Sequence, residues 1–300
     1  MSGEKIIRIN KVLREQNISL EKAIDIFESG NITIAPNPNT KISEFEYSYL
    51  KYKLGIIEAK PTPTITGSGT IKRIRDKKGI PQSVFKYYNT NKFSIESLKF
   101  KYLFHSNYKD FNDPFDCNLD LICFEKEKKR THFKKKEVII KENFSNIGVC
   151  CFSRNVNSIL MWSHYAENHK GFCLEFYSNR KREGVNPLDV NYVDVFMKAS
   201  FYDNKNDAAF HMIFTKAEQW NYEAELRSIQ SNITSIESRK IAFQREDVKA
   251  IYLGVKIDPD FKKEILSIVK EVYDNNLQVF AAGLSPNSFE IQWEEIKLVN

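Results

Sequence analysis

An α+β fold, a mixed sheet with helices around it and a small helical module in front, is what this chain predicts. Three observations predict it. Short β-branched and aromatic runs recur between residues 83 and 293. Helical patterns interrupt them irregularly instead of alternating one for one, which suits α+β better than a regular parallel α/β fold. Residues 1–55 carry helix patterns and capping residues and are followed by a Pro-, Gly- and Thr-rich stretch.

In the module, Ile6, Ile7, Ile9, Val12 and Leu13 begin an apolar pattern. Asn17 or Ser19 can cap a helix over 20–28, with Ala23, Ile24 and Phe27 inward, and Gly30 stops it. A turn covers 36–42, then Ser43 with Glu46 forms a capping box for a second helix. Residues 56–80 read as a linker, and the larger domain spans 81–300. Within it, strands are expected at 83–88, 102–106, 147–153, 171–177, 191–194, 223–230, 248–253, 277–281 and 289–293. Ser94 is expected to cap a helical turn through Leu98. Further helices are expected over a charged stretch up to Phe144 and over 158–166, 208–214 and 261–273.

The chain has 300 residues, 42% hydrophobic and 28% charged, the balance of a soluble globular protein. No apolar run reaches the ~18 residues of a membrane span. The N-terminus lacks a signal-like apolar stretch. Five cysteines (Cys117, Cys123, Cys150, Cys151, Cys173) are odd in number and have no CxxC spacing, which predicts reduced thiols in the cytoplasm and neither a disulfide frame nor a zinc site. The net charge of +6 is compatible with a nucleic-acid partner without requiring one. Basic residues gather at 72–78 and 126–136, runs that suit a solvated face or a phosphate-contacting surface.

The most informative run is Trp220-Asn-Tyr-Glu-Ala-Glu-Leu-Arg227. On an extended strand, Glu223 and Glu225 would share one side with Arg227, leaving Tyr222, Ala224 and Leu226 on the other. Such a strand is either a solvated face with a Glu225–Arg227 pair or a catalytic carboxylate beside a second one that orients an acceptor. Other candidates are Lys86, Tyr87 and Tyr88 on the first strand, and the turn Phe111-Asn-Asp-Pro-Phe-Asp116 with Asn112, Asp113 and Asp116. A third group is Ser153, Arg154, Trp162, His164, Tyr165 and His169; Trp162 and Tyr165 sit i, i+3 on one helix face, as core or as a binding stripe. His164 and His169 lack the i, i+4 spacing of a helical metal pair, so no metal site is expected. The chain contains no GxSxG, GxGxxG or phosphate-loop sequence.

Two resemblances follow. The residues Ile7–Glu15, Ile18-Ser-Leu20 and Asn37–Ser43 resemble the N-terminal helical module of bacterial translation initiation factor 2. That implies a small docking domain for RNA, a ribosome or a protein partner, without GTPase activity. The motifs Phe111–Asp116, Phe152-Ser153, Leu160–Ala166, His169–Cys173 and Trp220–Arg227 resemble domain of unknown function 2971 over about residues 84–295. Its order of elements is similar to the ADP-ribosyltransferase superfamily, and more to its nucleic-acid-modifying members. This resemblance implies a split mixed sheet core, NAD as substrate, and a toxin or phage-defence effector acting on RNA or DNA, with an antitoxin or chaperone as partner. Glu225 would be the catalytic glutamate, Glu223 the upstream acceptor-choosing residue, Ser153 the middle-strand serine, and Tyr87 or Lys86 the first-strand residue. Aromatic side chains (Trp162, His164, Tyr165) would hold nicotinamide, and Arg154 or Arg227 the pyrophosphate. The alternatives are a non-catalytic RNA-, ribosome- or protein-binding module, and a metal-dependent nuclease built on Asp113, Asp116 and Glu225.

Overall fold

A computed structural model describes residues 7–29, 32, 34–57, 64–65, 83–124, 138, 144, 146–178, 187–273 and 277–298. Both basic runs, most of the expected linker and most of the expected charged helix lie outside these residues. Contacts gather the chain into two compact units, each drawn from three segments. The first is Met1–Ile71, Pro114–Phe133 and Asn191–Gln219; the second is Lys72–Asp113, Lys134–Val190 and Trp220–Asn300. Among the described residues no helix is long and apolar enough to cross a membrane.

In the first unit, Ile7–Arg8 pairs antiparallel with Lys41–Ile42. Helix α1 spans Ile9–Gln16 and ends at Asn17, whose φ of 49° is the left-handed stop that asparagine tolerates. Of the two candidate caps for α2 (Leu20–Ser29), Ser19 does the work, accepting from the Lys22 amide at 3.1 Å. Helix α3 (Glu44–Lys53) has the complete capping box: Ser43 and Glu46 exchange bonds of 2.6 and 3.1 Å. The helices close over Ile9, Val12, Phe27, Tyr49 and Leu50, and Val195 from the unit's third segment completes that core. Asn191–Val193, expected as a strand over 191–194, pairs in parallel with Thr215–Ala217 in a sheet of two. A further helix, Lys205–Phe214, capped by Asn204, begins three residues before the predicted start.

The second unit is built on an eight-stranded mixed sheet. In chain order its strands are β1 Ser83–Tyr88, β2 Gly148–Ser153, β3 Phe172–Tyr177, β4 Leu188–Asp189, β5 Glu225–Gln230, β6 Val248–Leu253, β7 Gln278–Leu284 and β8 Ile291–Glu295. Their spatial order is β8-β7-β6-β3-β1-β2-β5-β4, with only β6 and β7 parallel. The register assigns the two faces. Val84, Tyr88, Phe152, Phe172, Leu174, Phe176, Leu226 and Ile251 line one face and form the main core. Helix α4 (Lys92–Phe100) adds Leu98 to that core. It is capped by Asn91, which accepts from the Ser94 amide, so the predicted cap Ser94 is the third residue of the helix. Helix α5 (Ile159–Tyr165) lies toward the other face, and Ser158, expected as the first residue of a helix over 158–166, is its cap. Helix α6 (Pro259–Val272) adds Ile265, Ile268 and Val269 to the main core. Asp258 caps it and Pro259 occupies its first turn, where a missing N–H costs nothing.

Candidate active site

The opposite face of the sheet carries the candidate chemistry. Ser153 on β2 stands directly across from Phe85 on β1 and from Glu225 on β5. Paired residues share a face and residues two apart repeat it. Phe85, Tyr87, Cys151, Ser153, Glu225 and Arg227 therefore share one face of three consecutive strands. Lys86, between Phe85 and Tyr87, lies on the core face with its ammonium 5.6 Å from the centre of the Tyr88 ring. Of the two first-strand candidates, Tyr87 alone joins Ser153 and Glu225.

Glu223 is not on the strand, contrary to the expected run over 223–230. It closes a 3-10 helix, Glu218–Glu223, and Ala224 then takes a φ of 43° before β5 begins at Glu225. A left-handed alanine is a strained position that persists only where its surroundings impose it. Two bonds fix it here: the Arg154 amide donates to the Ala224 carbonyl at 2.9 Å, and Ser153 Oγ donates to the Glu223 carbonyl at 2.6 Å. Ser153 is thus the latch of the junction.

Both carboxylates are buried, Glu223 at 1% and Glu225 at 5% exposure. The hydroxyl of Tyr165, on α5, donates to Glu223 Oε1 at 2.5 Å. Its pKa is raised, first by burial, then by the Glu223 charge, and further by Glu225, so the phenol stays protonated between the two acids. Asn112, from the Phe111–Asp116 turn, also hydrogen-bonds Tyr165. Arg227 has no exposed surface; it forks onto Glu225, Nε to Oε1 and Nη2 to Oε2, both at 2.8 Å. Its guanidinium stands 5.3 Å from the centre of the Phe111 ring. The Cys151 thiol beside Glu225 is pushed well up by burial, then by that carboxylate, and is inert as a nucleophile.

At the rim, His164 is exposed and its Nδ1 lies 3.0 Å from the Tyr222 hydroxyl. Its ring sits 6.4 Å from Trp220 and 6.0 Å from Tyr222. This half-exposed aromatic group suits a planar ring. Trp162 does not belong to it: it has no exposed surface, donates to the Val156 carbonyl at 2.6 Å and packs edge-on against Tyr87. Tyr87 in turn donates to the Asn155 carbonyl at 2.7 Å. Arg154 forks onto Asp189 of the edge strand β4 at 2.7 and 2.8 Å, so both arginines expected at a pyrophosphate are committed to carboxylates. Asp113 is buried in the second unit. Asp116 belongs to the first, 3.5 Å from the ammonium of Lys216. Among the described residues no three His, Cys, Asp or Glu side chains are placed to hold a metal ion.

The family model described as "Protein of unknown function (DUF2971)" matches residues 161–228, the stretch from α5 to the start of β5 that supplies Tyr165, both glutamates and Arg227. Two curated relatives are similar over a short stretch that supports the N-terminal resemblance. They are translation initiation factor IF-2 of Flavobacterium johnsoniae, 57% identical over 51 residues, and that of Flavobacterium psychrophilum, 57% identical over 48. The stretch is 17% and 16% of this chain and 5% of each relative's length. No solved structure matches.

Proposed function

We propose that the second unit is an ADP-ribosyltransferase that cleaves the nicotinamide–ribose bond of NAD and passes ADP-ribose to RNA or DNA. The observation that carries this reading is the placement of Tyr87, Ser153 and Glu225 on one face of three consecutive strands. These are the three positions the superfamily resemblance assigns, and they come from segments about 70 residues apart. The proposed reaction requires the buried Glu225 carboxylate, forked by Arg227, to become accessible to the ribose 2′-hydroxyl, whose hydrogen bond to it strengthens as positive charge develops at the anomeric carbon. One such preorganised group supplies roughly 3–4 kcal/mol. Arg227 is a positioning residue that aims the Glu225 carboxylate. Glu223, with Tyr165 and Asn112, orients the acceptor, and His164, Trp220 and Tyr222 receive a flat ring. The proposed role is a toxin or phage-defence effector in the cytoplasm, held in check by an antitoxin-like or chaperone protein. Incubation with adenylate-labelled NAD and separate RNA, DNA and protein acceptors tests the reading. Labelling that vanishes in Tyr165→Phe and Glu223→Gln supports it; labelling of protein alone overturns the acceptor assignment.

A second reading has its own observation. Identity of 57% over 51 residues is about 29 positions. The described apolar core that residues 7–57 supply numbers eight buried and eight half-buried side chains. The identities exceed what the core needs, so a share of them lies on the surface, where packing imposes little. A surface held in common with a translation initiation factor supports a docking role in translation initiation for the first unit. Salt-dependent RNA or ribosome binding that persists in Glu225→Ala, with the cellular effect intact, would favour docking over catalysis.

A further inference from the structure

The first unit turns outward a basic face that none of the roles above places. Where Ile7–Arg8 pairs with Lys41–Ile42, Ile7 stands across from Ile42 and Arg8 from Lys41. The isoleucines join the core, so the two cations project side by side from the opposite face, both exposed. Like charges directly opposed across a ladder destabilise it. The Ile9 amide donates to the Thr40 carbonyl at 2.9 Å and the Asn10 amide to the Pro38 carbonyl at 3.1 Å, which fixes Lys41 beside the start of α1. On α1 itself Ile9 and Val12 are buried, and Lys11 and Arg14 are exposed. Steps of three residues keep Arg8, Lys11 and Arg14 within about a third of the helix circumference. Glu15, the one acid in residues 7–15 and 37–43, is shared between Lys11 at 3.8 Å and the Tyr47 hydroxyl at 3.3 Å. Among the described residues Arg8, Arg14 and Lys41 have no carboxylate partner.

This face lacks an apolar centre. Among the described residues of 7–57, the large apolar side chain left exposed is Ile56, beyond α3. Protein interfaces and membrane-seated helices are built around apolar side chains, whereas nucleic-acid interfaces are polar and positively charged. The four cations also fall in the runs Ile7–Glu15 and Asn37–Ser43 that carry the initiation-factor resemblance, and the fold brings those two runs together. We propose that Arg8, Lys11, Arg14 and Lys41 bind the phosphate backbone of RNA without reading its sequence. The proposal rests on the docking reading of the first unit, which supplies RNA as the nucleic acid, and it names the surface. A phosphate between Arg8 and Lys41 offsets their mutual repulsion, and Lys11 and Arg14 continue the contact along α1. Phosphate contacts carry no base information, so affinity depends on salt and not on sequence.

Fluorescence anisotropy of the full chain with labelled oligo(U) and oligo(A) RNA over a series of salt concentrations tests this. The two RNAs are expected to bind alike. Arg8→Ala and Lys41→Ala each lower the slope of log affinity against log salt by about 0.7, the share of one phosphate on a single strand. Arg8→Glu with Lys41→Glu weakens binding by about tenfold or more. Lys41→Glu alone weakens binding yet does not lower the urea midpoint, because it places opposite charges across the ladder, so the loss is not unfolding. Lys263→Ala, at an exposed cation of the second unit, leaves the slope unchanged. An unchanged slope in Arg8→Ala and Lys41→Ala, an equal fall in Lys263→Ala, or displacement of the RNA by polyglutamate at equal charge would overturn the proposal. Ribosome binding that survives the double reversal overturns this surface and leaves the docking reading standing. A wild type that binds neither RNA nor ribosomes overturns both.

Discussion

Arg227 and Glu225 form a fully enclosed ion pair, and its consequences are those of burial. Removing either partner unbalances that buried pair, which typically costs about 3–5 kcal/mol. Arg227→Met and Glu225→Gln are therefore each expected to lower the urea midpoint of the second unit sharply. The double replacement is expected to recover part of the loss, because both charges leave together. A second buried residue reports through pH. His105 has no exposed surface, and burial pushes its pKa from 6.5 down to about 4 while its Nε2 bonds Ser228 Oγ at 2.9 Å. The folded state holds this ring neutral, so between those values the unfolded chain binds more protons. The contribution is fully present above pH 6.5 and is lost as pH falls toward 4, by about 3 kcal/mol in all. A proton NMR titration should place the His105 midpoint near 4, and His105→Asn should flatten the acid limb of the stability curve.

At the scale of elements, the junction between the 3-10 helix and β5 sets the spacing of the two carboxylates. Ala224 takes a conformation that glycine adopts without strain, so Ala224→Gly is expected to raise stability by up to about 1 kcal/mol, read as a shift in the urea midpoint. The same junction shows what the sequence could and could not convey. Residues two apart share a side on a strand, so Glu223, Glu225 and Arg227 read together as one cluster, and they are one. The cluster arises by a different route, because nothing about an alanine announces a positive φ. Asp189 was illegible for a similar reason: an edge strand of two residues carries no periodicity, so Arg154 read as available when it is not. Tyr165 was named as a ring to stack on a substrate, and its partner Glu223 lies 58 positions away, beyond any spacing rule. Caps read best. Ser43 and Ser19 act locally, as predicted, whereas Asn91, Asp258 and Asn204 start their helices two or three residues before the apolar pattern alone indicated.

At the scale of the whole molecule, the chain crosses between its two units several times, so elements distant in sequence share a core. Val195 belongs with Ile9, Phe27 and Tyr49. Val195→Ala should therefore loosen the N-terminal helices by about 1–2 kcal/mol, seen as faster amide exchange in α1 and α3. A fragment ending at residue 57 should show the same loosening more strongly. The apolar alternation of the sheet strands and the helical pattern of α6 were readable because each buries one face. The sheet order, which brings β1, β2 and β5 together, follows from pairings about 70 to 80 residues apart that no local pattern encodes. The most direct test of the central claim is release of nicotinamide from NAD, with transfer of the label to nucleic acid, by wild type and by Glu225→Gln at a temperature where both are folded by circular dichroism. The account predicts release and labelling by the wild type and neither by the variant. A folded wild type that leaves NAD intact, or a variant as active as the wild type, would contradict it.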